Sequence, residues 1–285
     1  MSGRPKVSVC MITYGHEKFV KQAVQGVLMQ ECEFEIELIV ADDCSPDTTQ
    51  FIVEGIIKEH PRGYRVKYVK HSENKGMLAN FIWAMNQCCG DYIAFCEGDD
   101  YWTDSLKLQK QVGFLEANLD YGICFHNVNV FYQKENRLCA DGFTRAVPET
   151  TTTLDLARGN YMHTPSVVMR NDFELPQWYS KSPLGDWPLY MIAAHNKMIK
   201  RLEDIMAVYR VHEKGVWALQ SREYRVRNTI KSFELVLESK VVDDEVKTVL
   251  RRTIQDFRSI LGKGESFVYH FFKYIKNKYL KMIKL

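Results

Sequence analysis

Gly90-Asp91-Tyr92-Ile93-Ala94-Phe95-Cys96-Glu97-Gly98-Asp99-Asp100 is an apolar run that ends in acid. Tyr92 to Cys96 suit a strand buried on both faces, and the carboxylates of Asp99 and Asp100 stand where it stops. Hard oxygen donors fixed at a strand end suit Mg²⁺ or Mn²⁺ and, through the ion, a diphosphate. The same residues also fit an ordinary turn, with Asp104 capping the helix that follows. The surrounding chain has to decide.

Upstream, short β-branched runs alternate with helical spacing. Val7 to Ile12 reads as a buried strand, and Phe19, Val20, Ala23, Val24, Val27 and Leu28 then recur as one helix face. Phe34 to Val40 is a second strand, followed by Asp42-Asp43-Cys44-Ser45-Pro46-Asp47 and a helix carrying Phe51, Ile52, Ile56 and Ile57. Val66 to Val69 is a third strand and Met77 to Met85 a third helix. Repeated strand-helix-strand units predict an α/β fold, a Rossmann-like, mostly parallel sheet with helices on both faces. Ligands in such folds sit beyond the carboxyl ends of the strands, where Thr13, Asp42, Asp43, Asp99 and Asp100 fall. From Gly122 the alternation decays. Asp141-Gly142 and Thr150 to Thr153 mark loops, Ser166 to Met169 a strand, Pro183 to Trp187 the opening of a helix with Asp186 as its N-cap, and Ile205 to Tyr209 a strand. Helical sequence follows from about Ser221.

The chain of 285 residues is 46% hydrophobic and 26% charged, which suits a packed globular protein and excludes collagen-like or wholly disordered readings. A net charge of +2 is too balanced for a protein built to grip nucleic acid. Eight cysteines without a CxxC pair argue against structural zinc or a disulfide framework and agree with a reducing compartment. No run approaches the roughly 18 apolar residues of a membrane span, and the first residues lack a signal-like apolar stretch, so a cytoplasmic protein is expected.

Four motifs taken in order, Val7 to Tyr14, Ala41-Asp42-Asp43-Cys44-Ser45, Asn74-Lys75-Gly76 and Gly90 to Asp100, resemble the family 2 glycosyltransferases of GT-A fold. The resemblance covers residues 6 to 130 most fully and continues faintly to about 217. It implies an inverting, metal-dependent transfer of sugar from a nucleotide-sugar, a UDP-sugar above all, to a saccharide or lipid-linked saccharide in bacterial cell-surface polysaccharide assembly. Thr13, Tyr14 and Asp43 would contact the nucleotide, Lys75 either faces the donor or is simply exposed, and Asp99 would approach the ribose or the metal. Asp100 would bind Mn²⁺ or Mg²⁺ directly. The family commonly has Asp-x-Asp-Asp at this strand end, so Glu97 is a departure.

Inverting transfer by single displacement needs a base beside the acceptor hydroxyl. The resemblance assigns that role to Asp186 of Gly185-Asp186-Trp187, which is also a plain N-cap motif. Tyr209-Arg210-Val211-His212 is similar to the family's late segment over the donor pyrophosphate. His212 is then either a third metal ligand or a hydrogen-bond partner of phosphate, and Arg210 pairs with phosphate or with a body carboxylate. Trp187 and Trp217 either stack on sugar or belong to the core.

These assignments divide the chain into residues 1–220, with a donor half 1–125 and an acceptor half 126–220, and a C-terminal helical extension 221–285. Residues 263–285 hold six Lys and one Glu, which leaves 32 basic and 35 acidic residues in the remainder. Val268, Phe271, Phe272, Ile275, Tyr279, Met282 and Ile283 form one stripe there, suited either to an anionic membrane surface on the inner face of the cell membrane or to docking on protein. Two rivals from other classes remain at this level. A nucleotidyltransferase would need a Gly-rich, Arg-containing phosphate loop where Thr13-Tyr14-Gly15-His16-Glu17 stands. A noncatalytic sugar-binding or scaffold protein of this fold would have no need to keep Asp43, Asp99, Asp100 and Asp186 together.

Overall fold

The computed structural model describes residues 6–213, 215 and 220–261. The basic stripe of 263–285 and Trp217 lie outside them. The chain opens with β1 (Val7–Thr13), α1 (Val20–Leu28), β2 (Ile36–Asp42), α2 (Thr49–Glu59), β3 (Val66–Lys70), α3 (Met77–Gln87) and β4 (Tyr92–Phe95). The acid pair leads into β5 (Tyr101–Trp102) and α4 (Lys107–Ala117). Then come β6 (Tyr121–Tyr132), β7 (Arg137–Ala140), β8 (Thr150–Thr151), α5 (Thr153–Leu156), β9 (Val168–Arg170), α6 (Asp186–Ala193), β10 (Met198–Val211), α7 (Arg222–Glu238) and α8 (Asp244–Ile260).

Among the described residues the strands form one sheet in the order β3-β2-β1-β4-β9-β6-β10-β5, with β7 on β6 and β8 on β10. The strands β3, β2, β1 and β4 are parallel. β9 runs antiparallel to both β4 and β6, and β10 is parallel to β6. Two reversals restore the original direction, so the carboxyl end of β10 falls on the same sheet edge as those of β1, β2 and β4. Residues more than a hundred positions apart thereby meet.

Strand periodicity explains why both faces are covered. Val9, Met11, Leu38, Val40, Tyr92 and Ala94 point to one side, against Val20, Val24 and Val27 of α1, Val53 of α2 and Leu108, Val112 and Leu115 of α4. Cys10, Ile39, Ala41, Ile93 and Phe95 point to the other, against Phe81 and Ala84 of α3, Leu189 and Ile192 of α6, Phe233 of α7 and Leu250 and Ile254 of α8. Each fully buried aliphatic or aromatic side chain contributes about 1.5–3 kcal/mol. The helices α7 and α8 therefore share a core with α3 and α6.

The second half differs from expectation in three places. The segment from Tyr121 is a twelve-residue strand, not decaying pattern. Thr150 to Thr153, expected as loop, forms β8 and then the start of α5, which Thr152 caps by accepting from Leu154 N while Asp155 accepts from Thr152 N. Gly185, not Asp186, is the N-cap of α6, and Asp186 is its first helical residue. Among the described residues no helix is long and apolar enough to cross a membrane.

Candidate active site

The loops after β1, β2 and β4 are tied together by backbone hydrogen bonds: Asp43 N donates to Thr13 O (3.0 Å) and Gly98 N to Ile12 O (2.9 Å). Gly98 is glycine because the loops pack without a gap. A Cβ there would lie 2.6 Å from Thr13 Oγ1 and 2.9 Å from His16 Nδ1. Both of those atoms are buried without a hydrogen-bond partner among the described residues.

On the β2 side, Asp42 is structural, its carboxylate accepting from Ser45 N (2.7 Å) and Tyr68 Oη (2.6 Å). Asp43 Oδ1 accepts from Lys75 N (2.7 Å) and Oδ2 from Gly76 N (3.0 Å). Gly76 has φ of +86°, a conformation glycine adopts without strain. Lys75 thus meets Asp43 through its backbone, with an exposed side chain. Tyr14 is 49% exposed beside them, and Thr13 is the last residue of β1. Thr13, Tyr14, Asp43 and Lys75, from the loops after β1, β2 and β3, share one rim.

The acidic corner departs from expectation. Asp99 Oδ2 lies 2.9 Å from His212 Nε2 and 3.9 Å from His16 Nε2. One ligand atom from each of the three residues falls within 4.8 Å of the others. Asp100, expected to bind metal directly, is 1% exposed and turned into the fold, where its Oδ1 accepts from Arg210 N (2.7 Å). The cause is β5, which starts at the next residue: pairing of Tyr101 with Val208 of β10 sets Asp100 against the β10 backbone. Arg210, expected to pair with phosphate or with a body carboxylate, likewise bonds within the fold. Its Nε donates to Asp99 O (2.7 Å), Nη1 to Gln133 Oε1 (2.6 Å) and Nη2 to Gln22 Oε1 (2.7 Å). The guanidinium lies 4.8 to 5.4 Å from the ring centroids of Phe19, Tyr101 and Phe131.

The electrostatics of this corner favour a cation. Burial, then the charges of Asp99 and Glu97, push the Asp100 carboxyl well above its ordinary value. Burial, then Asp99 and Asp186, push Glu97 up to about 8. Burial would also raise Asp99, but the His212 hydrogen bond and the nearby imidazoles outweigh it and hold that carboxyl below its ordinary range. Burial pushes the His16 imidazole down, against the pull of Asp99. The Asp99 carboxylate and the two imidazoles form a donor set that fits a divalent metal ion.

Asp186 approaches the same corner from α6. Its Oδ2 accepts from Asn160 Nδ2 (3.2 Å), and burial raises its carboxyl. Glu97 feels both Asp99 and Asp186, and so does the Tyr209 hydroxyl, which links the two halves. The ring of Tyr209 lies 4.7 Å from that of His163, whose Nε2 is 3.2 Å from Asp141 Oδ1. Trp187 takes the core alternative: it is 8% exposed, donates its indole N–H to Leu156 O (2.9 Å) and meets Phe233 edge-on at 4.5 Å. Sequence reasoning missed His16 and Asn160. No local spacing betrays either, because their partners, Asp99 and Asp186, are distant in the chain.

A model of the Glycosyl transferase family 2 matches residues 8–171. An uncharacterized Mycobacterium tuberculosis protein, Rv1520, is 35% identical over 214 residues, 74% of this chain and 60% of its own length. The chain thus spans 60% of the length of that relative. The Escherichia coli UDP-Glc:alpha-D-GlcNAc-diphosphoundecaprenol beta-1,3-glucosyltransferase WfaP is 24% identical over 238 residues, 83% of this chain and 90% of that protein. Among solved structures, S. aureus TarS 1–349 in complex with UDP-GlcNAc superposes with a TM-score of 0.65 at 20% identity, covering 92% of this chain and 75% of that one. The mannosyltransferase PcManGT from Pyrobaculum calidifontis, in complex with GDP-Man and Mn²⁺, gives 0.62 at 15% identity, with 89% and 70% covered. The architecture is the GT-A fold of these neighbours.

Proposed function

The chain belongs to glycosyltransferase family 2, and from that premise we propose that it moves a sugar from a UDP-sugar to a hydroxyl of a saccharide or lipid-linked saccharide, with inversion, in cell-surface polysaccharide assembly. The observation that carries this reading is the convergence of Asp99, His212, Glu97 and Asp186 on one sheet edge, beside a rim bearing Thr13, Tyr14, Asp43 and Lys75. The rim residues bind the nucleotide. Asp99 and His212 hold Mn²⁺ or Mg²⁺, which when bound supplies positive charge against the departing diphosphate. Asp186 accepts the proton of the acceptor hydroxyl as its oxygen bonds to the anomeric carbon and the bond from that carbon to the diphosphate breaks. Its burial suits the task, since a carboxylate with a raised pKa is the stronger base.

The named donor and acceptor of WfaP and the UDP-GlcNAc of TarS support this choice of substrates, and the Mn²⁺ of PcManGT supports a divalent ion. On the same reading residues 1–125 carry the donor and 126–220 the acceptor. The tail 263–285 brings a cytoplasmic enzyme to anionic lipid, and liposome flotation with and without that tail tests this: equal partitioning removes it. The central test is Asp186→Asn. Transfer should be lost while UDP binding, followed by calorimetry, survives. Loss of both would reassign Asp186 to folding or to the donor site.

A further inference from the structure

We propose that His16 is a third protein ligand of the cation held by Asp99 and His212, and that the resulting pair of imidazoles and one carboxylate selects a first-row transition ion such as Mn²⁺ over Mg²⁺. The inference rests on reading the acidic corner as the metal site.

His16 has no other evident employment. Its Nδ1 is buried without a hydrogen-bond partner among the described residues, and its Nε2 stands 3.9 Å from Asp99 Oδ2, beyond hydrogen-bond length. A buried ring nitrogen left in this state keeps its desolvation uncompensated. The residue is nonetheless held firmly. Its carbonyl accepts from Phe19 N (2.9 Å) and Val20 N (2.8 Å) at the start of α1, and Gly98 lies against its ring with no side chain between. Phe19 packs on both imidazoles, with centroids 6.3 Å from His16 and 4.8 Å from His212. The two imidazole rings are 6.0 Å apart and nearly perpendicular. One aromatic side chain thus fixes two nitrogen donors about one carboxylate.

Ligand chemistry then sets the preference. Mg²⁺ demands oxygen donors and gives up its waters reluctantly. Divalent first-row ions accept imidazole, with affinity rising from Mn²⁺ to Co²⁺. Each imidazole added to the Asp99 carboxylate therefore widens the gap between Co²⁺ or Mn²⁺ and Mg²⁺.

The experiment titrates the full chain with MnCl₂, CoCl₂ and MgCl₂ by calorimetry, alone and with UDP. Pulsed EPR counts the nitrogens bound directly to Mn²⁺. The wild type should show two nitrogens and His16→Ala one. That substitution should weaken Mn²⁺ and Co²⁺ binding by about tenfold or more, while Mg²⁺ binding moves far less. His16→Gln, which keeps polarity and bulk but offers no imidazole, repeats the measurement if His16→Ala melts early. A single nitrogen in the wild type, lost in His212→Ala but retained in His16→Ala, overturns the role of His16 and leaves the metal reading standing. Mn²⁺ binding unaffected by Asp99→Asn and His212→Ala, or absent altogether, overturns that reading and this inference with it.

Discussion

Substituting Gly98 by Ala places a methyl group 2.6 Å from Thr13 Oγ1, 2.8 Å from Thr13 Cβ and 2.9 Å from His16 Nδ1. Neither neighbour yields freely. Thr13 is β-branched, 2% exposed and registered against Asp42 in β2, and the His16 carbonyl is bonded into the first turn of α1. Overpacking of this kind costs about 1–3 kcal/mol. At roughly 2–4 °C per kcal/mol for a protein near this size, Gly98→Ala should lower Tm by about 2–12 °C. It should also weaken Mn²⁺ binding, because the methyl group pushes directly on His16. Gly113→Ala is the matched control. Gly113 lies exposed in α4 with nothing within 4 Å of an added Cβ, so the change should stabilise by about 0.5–1 kcal/mol. Scanning calorimetry of the three proteins separates the two positions. The reasoning fails if Gly98→Ala melts with the wild type, or if Gly113→Ala loses as much.

Trp187→Ala removes the contact with Phe233 and the indole hydrogen bond, and should cost about 3–5 kcal/mol while UDP affinity of the folded fraction stays unchanged; lost affinity at constant Tm would return Trp187 to the ligand. Lys107, wholly buried over the Trp102 ring with Nζ donating to Gln111 Oε1 (2.8 Å), is pushed by burial from its ordinary 10.5 down to about 7. The unfolded chain then binds the extra proton between pH 7 and 10.5, so stability from this group rises with pH across that window. Urea titrations at several pH values should show the wild type gaining on Lys107→Met by up to about 5 kcal/mol across that window, and parallel curves would reject the assignment. Asn160→Ala removes a donor that holds Asp186 down against its burial. The acidic limb of the pH profile for sugar transfer should move to higher pH, and a limb that stays or moves lower contradicts the proposed base.

The first half of the fold was legible because its strands are buried on both faces. Val7 to Ile12 and Tyr92 to Cys96 carry little but apolar side chains, and the first precedes a helix of clear period. In β6 the run is broken by His126, Asn127 and Asn129, whose environment comes from β10, some seventy residues later. No window of local sequence contains that partner. The Thr152-x-x-Asp155 capping box is a local signal for the start of α5. The site was legible as a set of strand ends, but not in its side-chain directions: Asp99 and Asp100 are neighbours, and only the pairing of β5 with β10 decides which one faces His212. His16 emerges from the loop only when Gly98 arrives against it.

The bond from Arg210 to Asp100 spans 110 positions, and that from His212 to Asp99 spans 113. A ribosome adding 5–20 residues per second has therefore exposed the acidic loop for roughly 5–20 s before its partners are even synthesised. During that interval the nascent chain can bury β1 to β4, yet Asp100 has no Arg210 amide to accept from and Asp99 lacks the His212 imidazole. Competence arrives late in translation, with the strand that ends at Val211, and a chain released before that point carries the nucleotide rim without the corner.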